Sequence, residues 1–323
     1  MNLLALNDIT AARHRILSHI NHTPLIENTA INNLVEGRLL IKAEVLQKTG
    51  SFKYRGACNV ISQLDETTRS NGVIAYSSGN HAQAVAAVAQ QFNIPATIVM
   101  PADAPIIKIE KTKSYGADIV LYDRQTQSRE ALAQTIAQEK SGTIVPPYDH
   151  PQTIAGQGTV ALEILEQAEE IGTALDMLLI PTSGGGLAAG CSLVTTKLSP
   201  NTRVYAVEPE GYDDTRRSLE AGKRIQIEPK QTTLCDALMI PQPGELTFSI
   251  NRKTLNGGLT VNDEEVKQAM KMAYNHLKLT VEPGGAVALA VALSNKVDVK
   301  DKTVGLILSG GNVDSTLFIQ AIT

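Results

Sequence analysis

Long apolar runs are missing from this chain. Nowhere does it contain the roughly 18 consecutive apolar residues of a membrane-spanning helix, and no membrane partner is expected. Basic tracts are missing too. The net charge is -4 over 323 residues, and no lysine–arginine run interleaves with the aromatic residues, which make up only 4% of the chain. No nucleic-acid partner is expected from such a surface. Tryptophan is absent, and cysteine occurs only as Cys58, Cys191 and Cys235. Their spacing forms neither a CxxC pair nor a zinc pattern, so they read as buried, reduced thiols of a cytoplasmic protein. The opening residues Met1 to Asp8 lack the charged start and apolar core of a signal peptide. What remains, 43% hydrophobic and 19% charged residues, is the balance of a globular chain long enough for two domains.

Short apolar runs bounded by turn residues supply the organisation. Leu39-Leu40-Ile41, Val73-Ile74-Ala75, Ala96-Thr97-Ile98-Val99, Ile119-Val120-Leu121, Thr143-Ile144-Val145, Leu178-Leu179-Ile180, Val204-Tyr205-Ala206 and Leu306-Ile307-Leu308 read as buried strands, with helical patterns between them. Continuous apolar strands alternating with helices predict parallel sheets covered on both faces. The alternation runs to about residue 145 and restarts after Pro151, which predicts two α/β lobes, each a largely parallel sheet flanked by helices. Ser51 is expected to cap a helix running through Ala57 to Leu64, and a later helix is expected over 158–171. Ligands of such folds sit in the cleft at the carboxyl ends of the strands.

Three glycine-rich turns each leave a predicted strand: Ser77-Ser78-Gly79-Asn80-His81, Thr182-Ser183-Gly184-Gly185-Gly186-Leu187 and Ser309-Gly310-Gly311-Asn312. A strand–turn–helix unit gathers unpaired N–H groups and the positive end of a helix dipole, which suits a phosphate or a carboxylate. Gly184 to Gly186 lack the spacing of a dinucleotide fingerprint, and no Lys-Ser or Lys-Thr of a P-loop follows them. Singly, each turn has a plain reading as a bend or a serine cap, and a lone Lys53 reads as a surface lysine.

Together these residues resemble one family. Ser51-Phe52-Lys53-Tyr54-Arg55-Gly56-Ala57, Ser77 to Gln83, Ile154-Ala155-Gly156-Gln157-Gly158-Thr159, Ser183 to Leu187 and Ser309 to Asn312 are similar, in order, to the motifs of the serine/threonine dehydratase and serine racemase group of fold-type II pyridoxal-phosphate enzymes. The resemblance spans nearly the whole chain. It implies a larger cofactor-binding domain of residues 1–62 and 150–323, a smaller one of 63–149, an active site in the cleft between them, and a cytoplasmic homodimer. Lys53 would carry pyridoxal 5′-phosphate on its amine and serve as the catalytic base. Phe52 would lie against the ring, Asn80 would meet the ring hydroxyl, Ser183, Gly184, Gly185, Gly186 and Leu187 would cradle the phosphate, and Ser309 would face the ring nitrogen. Ser77, Ser78, Gly79, Asn80 and His81 would grip the substrate carboxylate.

The resemblance also implies a divalent cation, Mg²⁺ or else Ca²⁺ or Mn²⁺, held by Glu208, the Tyr212 carbonyl and Asp214; without it the loop reads as a solvated acidic surface. The implied reaction is β-elimination from a small amino acid, L-serine, L-threonine or threo-3-hydroxyaspartate, giving a 2-oxo acid and ammonia. Ser78 stands where biosynthetic threonine deaminases read alanine, and racemase-type members have the serine. An amino-acid racemase using Lys53 and Ser78 on opposite faces is therefore the alternative, and a non-catalytic cofactor-binding protein is the reading from a different class. A β-replacement synthase fits less well, because Tyr54 follows the lysine where those relatives carry aspartate. His81, at a helix N-terminus, reads as structural or carboxylate-orienting, and His150 as a loop residue between the lobes.

Overall fold

The computed structural model describes residues 4–104, 106–229 and 231–323. Met1, Asn2 and Leu3, part of the segment weighed above as a leader, lie outside them. Among the described residues ten strands form two sheets: β1 Leu25–Ile26, β2 Arg38–Ala43, β3 Val73–Tyr76, β4 Ala96–Pro101, β5 Asp118–Tyr122, β6 Thr143–Ile144, β7 Met177–Pro181, β8 Arg203–Pro209, β9 Gly257–Val261 and β10 Thr303–Leu308. The larger sheet has the order β1-β2-β10-β7-β8-β9 and the smaller β5-β4-β3-β6. Every neighbouring pair is parallel except β1 with β2. Parallel pairing follows from the run of apolar residues, because both sheet faces must be covered by helices. In β7, Met177 and Leu179 enter one core while Leu178 and Ile180 enter the core on the opposite face. Among the described residues no helix is long and apolar enough to cross a membrane.

Two expectations about helices change. Helix Lys53–Ile61 begins later than Ser51 can cap: Ser51 is extended and forms an antiparallel bridge with Gly310, while the Phe52 N–H donates to Ser309 O at 3.1 Å. Pairing with the last glycine turn outcompetes local capping. The later helix spans Pro151–Glu170, so Ile154 to Thr159 lie inside it and not ahead of it. Proline is tolerated at its first position, where the missing N–H is one the helix leaves unpaired anyway. Its internal glycines serve close packing. A Cβ on Gly156 would lie 2.5 Å from the Arg55 carbonyl oxygen, and one on Gly158 would lie 3.0 Å from the Gly190 backbone.

Beneath helix Lys53–Ile61 lies a cluster of four fully buried charges. Arg55 donates to Glu44 Oε1 at 2.7 Å and Oε2 at 2.8 Å, and to Glu163 Oε1 at 2.7 Å and Oε2 at 2.8 Å. Lys42 donates to the same Glu163 at 2.7 Å, to Thr23 O at 2.6 Å and to Gln167 Oε1 at 2.8 Å. The cluster is neutral overall and joins β2 to two helices.

Gly156→Ala is expected to destabilise by about 1–3 kcal/mol, the usual cost of forcing an extra carbon into a packed contact. A lowered midpoint at unchanged slope in urea unfolding is the readout, and an unchanged midpoint would show that the helices have room to part.

Candidate active site

The carboxyl ends of β3, β7 and β10 and the start of helix Lys53–Ile61 converge on one cavity of about 390 Å³. That volume lies within the usual range of small-molecule sites. Its wall includes Phe52, Lys53, Ser77 to His81, Ser183 to Leu187 and Ser309, so the structure brings together every residue that the sequence pointed to for cofactor and carboxylate.

Lys53 Nζ donates to Pro147 O at 2.8 Å and lies 5.2 Å from the centre of the Phe52 ring. Burial strips its ammonium of water and lowers its pKa to about 8. His81 is pushed down to about 3, first by burial and then by the nearby Lys53 charge. Its Nε2 sits 2.8 Å from Val145 O. A carbonyl only accepts, so Nε2 carries the proton and Nδ1, buried with no partner among the described residues, is bare. The imidazole is thus a neutral strut between helix Asn80–Gln91 and the segment after β6.

The turn after β7 tests whether a phosphate fits. Side chains are excluded throughout it: a Cβ on Gly184 would meet the Tyr148 ring at 2.6 Å, and one on Gly186 would meet Gln157 Oε1 at 2.5 Å. Gly185 has φ +93°, where a Cβ is strained in any case. Carbonyls are fastened on the outer side, Gly184 O by Thr247 Oγ1 at 2.7 Å and Gly185 O by Asn251 Nδ2 at 3.3 Å. The opening N–H groups of helix Gly186–Leu198 have no intrahelical acceptor, which suits the turn to a phosphate. Ser183 Oγ accepts from Ile240 N at 3.3 Å, and Ser77 Oγ accepts from Gly79 N at 3.2 Å. One N–H of the Ser77–His81 turn is therefore used within the turn itself.

Other wall residues carried no signal in the sequence. Asn80 Nδ2 donates to Glu282 Oε1 at 2.5 Å, and burial pushes the Glu282 carboxyl up to about 7. Lys108, Arg124 and Arg129 place three cations on the wall, which also includes Tyr76 and Tyr148. Arg129 lies 5.7 Å over the Tyr76 ring and pairs with Glu130 at 2.7 Å. None sits in a motif, and only the folded chain brings them to the cavity.

Glu208, Tyr212 and Asp214 lie away from this cavity. Glu208, in β8, accepts from Thr215 N and Arg216 N at 2.9 Å each. Asp214 opens the next helix with both carboxylate oxygens buried and, among the described residues, unpartnered. Burial pushes both carboxyls well above the ordinary range, and the Glu208 charge adds to the push on Asp214. Among the described residues no group of three or more His, Cys, Asp or Glu side chains is placed to hold a metal, so a cation here would need a backbone oxygen as well.

The chain is similar to known proteins over nearly its whole length. The family model described as pyridoxal-phosphate dependent enzyme matches residues 16–310. The chain is 42% identical over 316 residues to the L-threo-3-hydroxyaspartate ammonia-lyase of Saccharomyces cerevisiae, covering 98% of this chain and 95% of that protein. It is 42% identical over 308 residues to the serine racemase of Schizosaccharomyces pombe, covering 95% and 94%. The structure of maize serine racemase superposes with a TM-score of 0.92 at 39% identity, covering 99% of this chain and 97% of that one.

In ligand-free protein, Lys53 is expected to gain reactivity toward a trace acylating reagent with a midpoint near pH 8. Surface lysines titrate near about 10.4. Peptide-resolved mass spectrometry across pH reads the two apart, and a midpoint for Lys53 shared with the surface lysines would contradict its desolvation.

Proposed function

The chain belongs to the pyridoxal-phosphate dependent enzymes, and from that membership we propose that it catalyses β-elimination of water from a 3-hydroxy amino acid, releasing a 2-oxo acid and ammonia. The observation that carries this reading is the meeting of Lys53, the Ser183–Leu187 cradle and the Ser77–His81 turn in one cavity. Pyridoxal phosphate, when bound, supplies a carbonyl for amines and an electron sink for the charge left as the substrate α-proton departs. Gly184 to Leu187 would hold its phosphate, Phe52 would pack against its ring, Asn80 would donate to its hydroxyl and Ser309 to its ring nitrogen.

Lys53 is the base. With its pKa lowered to about 8, a useful fraction of the amine is neutral near physiological pH. Pro147 O is the sole acceptor for Nζ among the described residues, so no carboxylate there holds the lysine in its charged form. Ser77, Ser78 and Asn80, at the positive end of helix Asn80–Gln91, bind the α-carboxylate. His81 takes no part in proton transfer, because it stays neutral and turned to Val145.

Within the substrate class, L-threo-3-hydroxyaspartate matches the cations on the wall. Arg129 is the best-placed of these for a second carboxylate: its guanidinium is held over Tyr76, and its partner Glu130 is more exposed than Arg129 itself. Purified protein supplied with pyridoxal phosphate is offered L-threo-3-hydroxyaspartate, L-serine and L-threonine, and scored for ammonia, 2-oxo acid and the enantiomer of recovered substrate. Elimination is expected and should vanish in Lys53→Ala. Arg129→Met is expected to raise KM for hydroxyaspartate about tenfold to a hundredfold, the worth of a charge-assisted hydrogen bond, while L-serine changes little. Enantiomer formation without ammonia would make the protein a racemase and direct attention to Ser78.

We also propose that Glu208, the Tyr212 carbonyl and Asp214 bind Mg²⁺, Ca²⁺ or Mn²⁺. Unpartnered, buried oxygens on Asp214 are what supports this. Carboxyls whose folded pKa is raised bind protons more tightly folded than unfolded, so without a cation stability falls as pH rises from about 4, the unfolded carboxylate pKa, through the folded values. Metal-stripped protein should therefore lose melting temperature between about pH 5 and roughly 8, and added Mg²⁺ or Ca²⁺ should restore more of it at the upper end. An equal response at both ends, or none, would return the loop to a structural role. A homodimer working in the cytoplasm completes the proposal; its three cysteines, all buried and unbridged, suit a reducing compartment.

A further inference from the structure

Helix Ile106–Lys113 follows β4 and packs with the smaller sheet, yet two of its lysines reach residues that extend from the larger one. Lys108 and Lys111 are three apart and share a helix face. Lys108 donates to Asp236 at 2.6 Å, and Lys111 donates to Asn312 Oδ1 at 2.6 Å. From Asn312 the contacts continue. Its Nδ2 donates to Asn80 Oδ1 at 2.7 Å and to Thr49 O at 2.7 Å, and Asn80 Nδ2 donates to Glu282 Oε1 at 2.5 Å. Lys111 and Asn80 belong to the half built on the smaller sheet, Asn312 and Glu282 to the half built on the larger. Each of the three links thus crosses the cleft.

The donors and acceptors allow one direction only. A lysine has no acceptor and a backbone carbonyl no donor, so Asn312 must turn its oxygen to Lys111 and its NH₂ to Thr49 O and Asn80. Asn80 must then offer its oxygen to Asn312 and its NH₂ to Glu282. That NH₂ keeps a second hydrogen, with no acceptor among the described residues, in a side chain that lines the cavity.

We propose that Lys111 is a positioning residue, which together with the Thr49 carbonyl fixes the polarity of the Lys111–Asn312–Asn80–Glu282 relay and so helps Asn80 present a donor to the cofactor cavity with the cleft closed. This rests on the reading that the cavity holds pyridoxal phosphate. Glu282, the inner end, faces Asp236, which raises its pKa, and Lys108 and Lys111, which lower it, while Asn80 donates to it directly. Removing Lys111 removes one of those cations and one of the two groups that orient Asn312, the Thr49 carbonyl being the other. Asn312 and Asn80 are then held less firmly, and the donor that Asn80 presents to the ring hydroxyl weakens.

The test compares wild type with Lys111→Met, Lys111→Arg and Lys113→Met. The last removes the same charge from the same helix, at a residue with no bond to the relay among the described residues. Pyridoxal phosphate binding is followed by equilibrium dialysis, and the visible absorbance of the bound cofactor is titrated against pH. Lys111→Met should weaken binding about three- to tenfold, about 0.7–1.4 kcal/mol, and raise the absorbance midpoint, because a negative potential next to the ring favours the protonated form. Lys111→Arg should restore both, and Lys113→Met should match wild type. Unchanged binding and midpoint in Lys111→Met overturn the inference, as does an equal effect in Lys113→Met. If wild type binds no pyridoxal phosphate, the underlying reading falls and the inference with it.

Discussion

Four charges sealed from water decide where Lys53 stands. Arg55 holds Glu44 and Glu163 through both ends of its guanidinium, and Lys42 closes the square. Burial alone would push the Glu163 carboxyl up, yet Arg55 and Lys42 hold it down at about 2. Removing one member would strand an uncompensated charge, about 3–5 kcal/mol. Such a cluster stabilises little relative to a well-packed apolar core, and its value is geometric. A planar fork between two carboxylates admits one rotation of helix Lys53–Ile61. Residues two apart on a helix do not share a face. With Arg55 committed inward, Lys53 is turned to the cavity before any ligand arrives.

The same economy governs the electrostatics around Lys53. A base that works near neutral pH needs burial without an anionic partner, and the lysine gets this from Pro147 O, which accepts its hydrogen bond without a charge. His81 shares the desolvation but meets a carbonyl too, so it is silent over the whole physiological range. Two titratable groups side by side are driven down together, and only one remains near a useful pKa. Glu282 moves up to about 7 through burial, which leaves it the carboxyl of this wall whose charge is most easily changed near neutral pH.

Much of the architecture was legible because it is local. Short apolar runs marked eight of the ten strands, and the parallel pairing followed from them. β9 was missed, since Gly257-Gly258-Leu259-Thr260 carries too little apolar signal to stand out. The helix start at Pro151 was misjudged for a related reason: Gly156 and Gly158 look like breakers in sequence, and only the neighbouring backbones of Arg55 and Gly190 explain them. In the candidate site the motif residues were visible because turn chemistry is read over five or six positions. Glu282, Lys111 and Arg129 were not, and the motif residue Asn312 gave no hint of its partners. The contacts that join Asn80, Lys111, Asn312 and Glu282 span 201 to 232 residues of chain, and no local pattern encodes such distances.

The three cysteines have a use that their chemistry alone would not suggest. Cys235 is sealed in the core on one face of the larger sheet, Cys191 in the core on its other face, and Cys58 in the core beside the smaller sheet. Burial pushes each thiol up to about 12, which leaves almost no thiolate to react while the fold is closed. A thiol reagent therefore sees each one only when its own core opens. The chain carries a built-in reporter for each of three layers, by which local breathing of both faces of the larger sheet and one face of the smaller can be timed separately.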